Sequence, residues 1–201
     1  MVEFRILGAV SLHGVGGREV RPLLAQPKRI ALLAYLAAAS PRGFHRRDSL
    51  LALLWPELDQ PHARAALRQA LHGLRRSLGD DAIESRGDEE ISVRSSDFWC
   101  DAVAFADACD AGRHADALEL YRGDLLDGFF ISGAPEFERW LEEERARMRR
   151  RACDAAWLLA TARHAAGDTA LAAHWARHAA TLARDDEGAL RRLIEIGRAH
   201  V

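Results

Sequence analysis

Hydrophobic positions change their period several times along the chain. Val2, Phe4 and Ile6 alternate with Glu3, Arg5 and Leu7 before Gly8, the two-residue repeat of a strand. "VSLHG" and "REVRPL", on either side of "GVGG", extend this into a small antiparallel sheet. Then the period lengthens. Ile30, Leu33, Ala34 and Ala37 predict a helix over "PKRIALLAYLAAAS", with Pro27 suited to its first turn. "PRGF" breaks it, "RRDSLLALLWP" forms a second short helix stopped at Pro56, and "DQPHARAALRQALHGLRRSLG" forms a third. Pro61 suits the first turn of that third helix and Gly79 its end. "AIESRGDEEISV" reads as a hairpin, with Ile83, Ile91 and Val93 on its strands and "RGDEE" as its turn.

After Trp99 the pattern is almost entirely helical, so "RSSDFWC" at 94–100 marks a boundary. The prediction is an α+β unit over 1–97 with small antiparallel sheets, followed by an all-α unit over 98–201. In the second unit, two short helices surround "AGRH" and two more surround "AAGD". Aligning Gly112 with Gly167 sets Ala117 against Ala172, five residues on in both cases. Small residues at such points let paired helices approach closely, the logic of tetratricopeptide-like (TPR-like) repeats. A long helix lies between the pairs, with Phe137, Trp140 and Leu141 on one face. Near the end, Leu190, Leu193 and Ile194 form an apolar stripe to which "GRAHV" gives neither partner nor cap. That suggests a truncated chain, its further repeats missing or supplied by a neighbouring molecule.

Charge sharpens the picture at one place. The 201 residues carry a net charge of −2, yet 62–79 holds four arginines and two histidines with no acid. At about 100° per residue, Leu67, Ala70, Leu71, Leu74 and Leu78 fill one arc of this helix. Arg64, Arg68, His72 and Arg75 fall within about 80° on a neighbouring arc, and Gln69 and Arg76 extend it. The spacing also suits an ordinary amphipathic helix with a basic solvent face. Three helices, the third basic, followed at once by a hairpin are the layout of a winged helix-turn-helix, whose third helix enters the DNA major groove. On that reading Arg68, Gln69 and His72 are candidate base readers, and Arg75 and Arg76 candidate phosphate clamps. Arg64 belongs to the same helix. Arg46 and Arg47, at the start of the second helix, and Arg86, on the wing, are candidates for backbone contact, with Lys28 and Arg29 behind them. The acidic turn "GDEE" would repel phosphates, and is expected to hold the wing tip away from DNA.

These residues carry a resemblance. "DSLLALLWPELDQPHARAALRQALHGLRRSLG" resembles the core of the SARP-type bacterial transcriptional regulators, whose DNA-binding half is an OmpR-like winged helix-turn-helix. The matching positions are Leu50, Trp55, Pro61, Ala63 (one residue early), Arg64, Leu67, Leu74, Arg75 and Leu78. "FRILGAVSLHG" is similar to the family's opening strands. "YRGDLLDGFFISGAPEFERWLEEERARMRR" resembles its bacterial transcriptional activator domain through Tyr121, Gly123, Leu125, Leu126, Gly128, Phe129, Phe137, Trp140 and Arg145. The resemblance implies a sequence-specific regulator of double-stranded DNA, an activator, whose helical domain makes homodimer contacts or meets RNA polymerase holoenzyme. The alternative is a protein-interaction scaffold with a degenerate winged helix.

Catalytic chemistry is not foreshadowed, so no enzyme activity and no cofactor is expected. His174 and His178 lie one helical turn apart, but no third metal ligand has a telling spacing. "HGVGG" is not followed by the Gly-Lys-Ser/Thr of a phosphate loop. Cys100, Cys109 and Cys153 form no CxxC pair, and an odd count argues against a disulfide framework. No apolar run reaches the roughly 18 residues that span a bilayer, and no signal peptide is evident. A cytoplasmic location, away from membranes, is the simplest expectation.

Overall fold

The computed structural model describes residues 1–20, 23, 25–94 and 96–183; Leu190, Leu193, Ile194 and the terminal "GRAHV" lie outside the described residues. The elements are β1 (Val2–Arg5), β2 (Ser11–His13), α1 (Pro27–Ala38), β3 (His45–Arg46), α2 (Arg47–Leu54), α3 (Gln60–Leu78), β4 (Ile83–Arg86), β5 (Glu90–Val93), β6 (Phe98–Cys100), α4 (Asp101–Asp110), α5 (His114–Leu120), α6 (Pro135–Ala165) and α7 (Thr169–Ala183). This is an α+β fold with a helical C-terminal part.

One sheet is mixed, in the order β2-β1-β6. Phe4 is opposite Leu12 across the antiparallel pair and opposite Cys100 across the parallel one. Val2, Phe4 and Leu12 are buried, as period-two alternation requires. The segment "REVRPL" gives only an isolated bridge, Glu19 to His13, among its described residues. The second sheet is antiparallel, in the order β3-β5-β4. Its hairpin pairs Ile83 with Val93 and Arg86 with Glu90, and β3 adds His45 opposite Ile91.

The expected boundary between residues 97 and 98 falls next to β6, a strand of the first sheet. Asp101, the first residue of α4, reinforces this join. Its carboxylate accepts hydrogen bonds from the backbone N–H groups of Ile6 (2.8 Å), Leu7 (3.1 Å) and Ala102 (2.8 Å). Burial pushes this carboxyl above the usual carboxylate range, and the three amides pull the other way. One continuous hydrophobic core then runs through both halves, from Val2 and Phe4 through Leu74 to Phe137 and Ala179. Helix α6 packs against α2 as well as α4, α5 and α7.

Within the helical part, two turns are built alike. Gly112 and Gly167 sit at φ +70° and +77°, left-handed conformations that glycine adopts without the Cβ penalty. In each case the glycine N–H reaches back three residues, to Cys109 or His164, and the next N–H reaches back five, to Ala108 or Arg163. This double bond pattern is the Schellman ending of a helix. Ala117 and Ala172 are fully buried where the following helices pack. The long helix and the first helix of the second pair, read separately in the sequence, are one 31-residue α6, because no glycine or proline interrupts 136–165.

His45 links the second sheet to α1: its ring lies 5.2 Å from that of Tyr35, which in turn meets Trp140 of α6 at 4.9 Å. Its Nε2 is buried without a hydrogen-bond partner among the described residues, and burial holds its pKa below the ordinary value. The folded protein therefore resists protonating His45, whereas the unfolded chain takes the proton once pH falls below about 6.5. Stability present above that pH is lost as pH drops through the window beneath it. His45→Phe should flatten the decline, measured as urea midpoints between about pH 7.5 and pH 5.5; an unchanged slope would refute the assignment.

Candidate nucleic-acid interface

Helix α3 is capped at both ends by its own sequence. Asp59 accepts from the His62 N–H at 3.0 Å, and its Oδ1 lies 2.6 Å from His62 Nδ1. Those contacts hold the Asp59 carboxyl below its ordinary pKa. At the other end Gly79, at φ +107°, closes the helix with its N–H on the Arg75 carbonyl. Arg75 and Arg76 occupy the last turn, where cations suit the helix dipole. Ala63, Leu67, Ala70, Leu71, Leu74 and Leu78 are buried, and Arg64, Arg68, Gln69, His72 and Arg76 are exposed. The leucine flank thus faces the core and the basic flank faces outward.

Most of the basic side chains fall into two groups. Arg68, His72 and Arg76 form no ion pair or side-chain hydrogen bond with any described residue. With Arg47, Arg75 and Asp80 they line a groove of about 410 Å³. Arg47 and Arg75 both donate to the Ser85 hydroxyl on β4, at 3.3 and 3.0 Å, and Arg75 also reaches the Ile83 carbonyl at 3.2 Å. Two guanidinium groups thus share one neutral acceptor. The Arg47 Nε is buried without a hydrogen-bond partner among the described residues. Burial, followed by the nearby Arg75 charge, pushes the Arg47 pKa down, against an opposing pull from Asp88. This is a cationic pair with too few acceptors, the condition under which an anion binds well.

The second group lies on the other side of Arg68, where Arg46, Arg47 and Arg64 share a groove with Asp48, Asp88 and Glu89. Arg46 stands in β3, one residue before the second helix, and Arg47 opens that helix. Arg86 projects from β4, its guanidinium 3.9 Å from the centre of the Phe44 ring and 3.5 Å from Glu90.

Gln69 belongs to neither group. It lines a third groove with Lys28, Arg29, Trp55, Phe130 and Ile131. Lys28 is held there by Glu57 at 2.5 Å and lies over the Trp55 ring. The Arg29 guanidinium occupies the space that a Cβ at Gly73 would need.

Sequence reasoning missed Ser85, Phe44 and Asp48. Ser85 could have been found from strand alternation, which sets it on the same face of β4 as Ile83. Phe44 and Asp48 carry no local signal. Among the described residues no group of three or more His, Cys, Asp or Glu is placed to hold a metal ion, and no helix is long and apolar enough to cross a membrane. Burial pushes the Cys100 thiol up to about 12 and raises that of Cys109, which leaves both poor nucleophiles. No family model and no curated protein matches the chain.

Proposed function

We propose that this chain is a sequence-specific double-stranded DNA-binding transcriptional regulator of the winged helix-turn-helix type. Helix α3 enters the major groove, and the β4–β5 hairpin serves as the wing. The helical part, with its TPR-like pairs, mediates homodimer or RNA polymerase contacts, and the similarity to SARP-type activators favours activation. One observation carries the reading: Arg68, His72 and Arg76 stand exposed, without an ion pair among the described residues, beside an Arg47–Arg75 pair that shares the Ser85 hydroxyl. Folding gives the arginines little, and a phosphate backbone would give them counter-charges. Arg68 and His72 are the base readers. Gln69, which faces the Trp55–Phe130 groove, is a weaker reader than its place on the helical wheel implied. Arg75 already braces β4, so Arg76 is the cleaner phosphate contact.

The test is duplex binding followed by fluorescence anisotropy at two salt concentrations. Affinity should fall steeply with salt. Arg68→Ala should cost a selected site about 1–3 kcal/mol and relax specificity, whereas Arg76→Ala should weaken all sequences alike and reduce the salt slope by about 1. No duplex binding even at low salt would end the reading. It would favour the interaction scaffold instead, for which the groove beside the 68 % exposed Phe130 is the supporting feature.

A further inference from the structure

The turn between β4 and β5 sends carboxylates toward the arginines that would meet DNA. Asp88 and Glu89 line the same groove as Arg46, Arg47, Arg64 and Arg68. The arrangement is fixed by the backbone: Arg47 N–H donates to the Glu89 carbonyl at 2.7 Å, and Arg46 is paired with Glu90 across β3 and β5. The turn therefore cannot swing clear of α2 without breaking sheet hydrogen bonds. Its side-chain contacts, by contrast, are loose: Glu89 lies 3.9 Å from Arg46 and is 75 % exposed. On the neighbouring α2, Asp48 lies 3.7 Å from Arg64. Elsewhere in the same sheet Arg94 meets Glu84 at 2.8 Å. Exposed pairs as open as the first two hold little stability, so structural bracing does not account for these acids.

We infer that Asp88 and Glu89 form an anionic guard over one half of the basic face, occupying the electrostatic place of DNA phosphates and lowering affinity for arbitrary sequence. The guard rests on the DNA-binding reading and assigns residues that set its specificity. The groove of Arg47, Arg75, His72 and Arg76 is left open, with Asp80 as its one acidic lining residue. Phosphate attraction is indifferent to sequence, so a protein that weakens it depends more on base contacts and discriminates better. Asp48, within the first turn of α2, adds to the same field, but it also serves the helix dipole and is a less clean probe.

The experiment uses the full chain with Asp88→Asn and Glu89→Gln together. Anisotropy is measured against a random-sequence 30-base-pair duplex and against a duplex selected from a random pool, at about 50 and 150 mM salt. A second variant, Glu143→Gln on the exposed face of α6, makes a neutralising change away from the groove. The guard predicts about a tenfold gain for the random duplex, a smaller gain for the selected one and a steeper salt slope. It also predicts an unchanged melting temperature and no effect of Glu143→Gln. If the wild-type chain binds duplex but the double variant leaves random-sequence affinity unchanged or lower, the guard is wrong and the DNA reading stands. An equal gain from Glu143→Gln also overturns it, because net charge alone would then suffice. If the wild-type chain binds no duplex at low salt, both fall.

Discussion

Asp101→Ala is expected to remove about 3 kcal/mol or more of stability, the largest loss from any single substitution considered for this protein. The carboxylate is 2 % exposed and serves three amide donors at once, those of Ile6, Leu7 and Ala102. Alanine leaves three N–H groups without an acceptor at the junction of β1, β6 and α4. Each unsatisfied buried donor costs about 1–3 kcal/mol. Some of that is returned because a buried carboxylate no longer has to be desolvated, so the three costs do not simply add. Against a typical total of about 5–15 kcal/mol, the variant should still be close to unfolding at physiological temperature. Asp101→Asn should fall between wild type and alanine, since it keeps one acceptor oxygen and turns an NH2 toward an N–H donor. Urea denaturation followed by circular dichroism reads the series. A loss below about 1 kcal/mol for alanine would mean that water satisfies the amides, and that the side chain does not tie the two halves.

Arg145→Ala is expected to cost about 2–4 kcal/mol, through the loop it holds rather than through its charge. Its guanidinium donates to the carbonyls of Leu125 (2.8 Å), Leu126 (2.5 Å) and Phe129 (3.2 Å), with its side chain only 13 % exposed. Leu126 sits at φ +49°, a conformation that an L side chain tolerates only when its surroundings hold it there. The same loop is bonded to the first sheet: Leu126 N–H donates to the Ile6 carbonyl at 2.6 Å and Gly8 N–H to the Asp124 carbonyl at 3.0 Å. A Cβ at Gly123 would come within 3.0 Å of the Gly8 backbone, so the two segments cross where there is no room for a side chain. Lysine cannot reproduce the three-way fork, and Arg145→Lys should lose most of what alanine loses. Hydrogen exchange should quicken first at the Gly8 and Leu126 amides. Protection unchanged there, with lower global stability, would place the role of Arg145 elsewhere.

What was legible in the sequence was what a short window decides. Helix α3 announced itself by period, by Pro61 and by Gly79, and its outward arginines followed from the same wheel. The β4–β5 hairpin was equally plain, because Ile83, Ile91 and Val93 alternate around a turn-rich stretch. Strand β6 was not: three residues show no alternation, and it exists because β1 offers an open edge. Strand β3, two residues long, owes its pairing to β5 in the same way. The division of the basic face was also hidden. Arg75 turns toward Ser85 because the hairpin folds back beside the helix, and the loop at 130–132 arrives from far along the chain to complete the groove that Gln69 shares with Trp55. Arg145 stood out only through a resemblance, and its partners are carbonyls, which a sequence does not distinguish from any others.

The parallel pairing of β1 with β6 limits how helix α3 and its hairpin could be borrowed for use in another protein. Severing the chain after residue 97 would strip the central strand of one neighbour and leave the amides and carbonyls of Val2–Phe4 as a raw edge, inviting sticky self-association. A transplant that kept the basic helix and its hairpin would have to carry the next ribbon and helix too, at least to Asp110. Fusions designed on either side of α4 should show this as aggregation of the shorter graft and solubility of the longer.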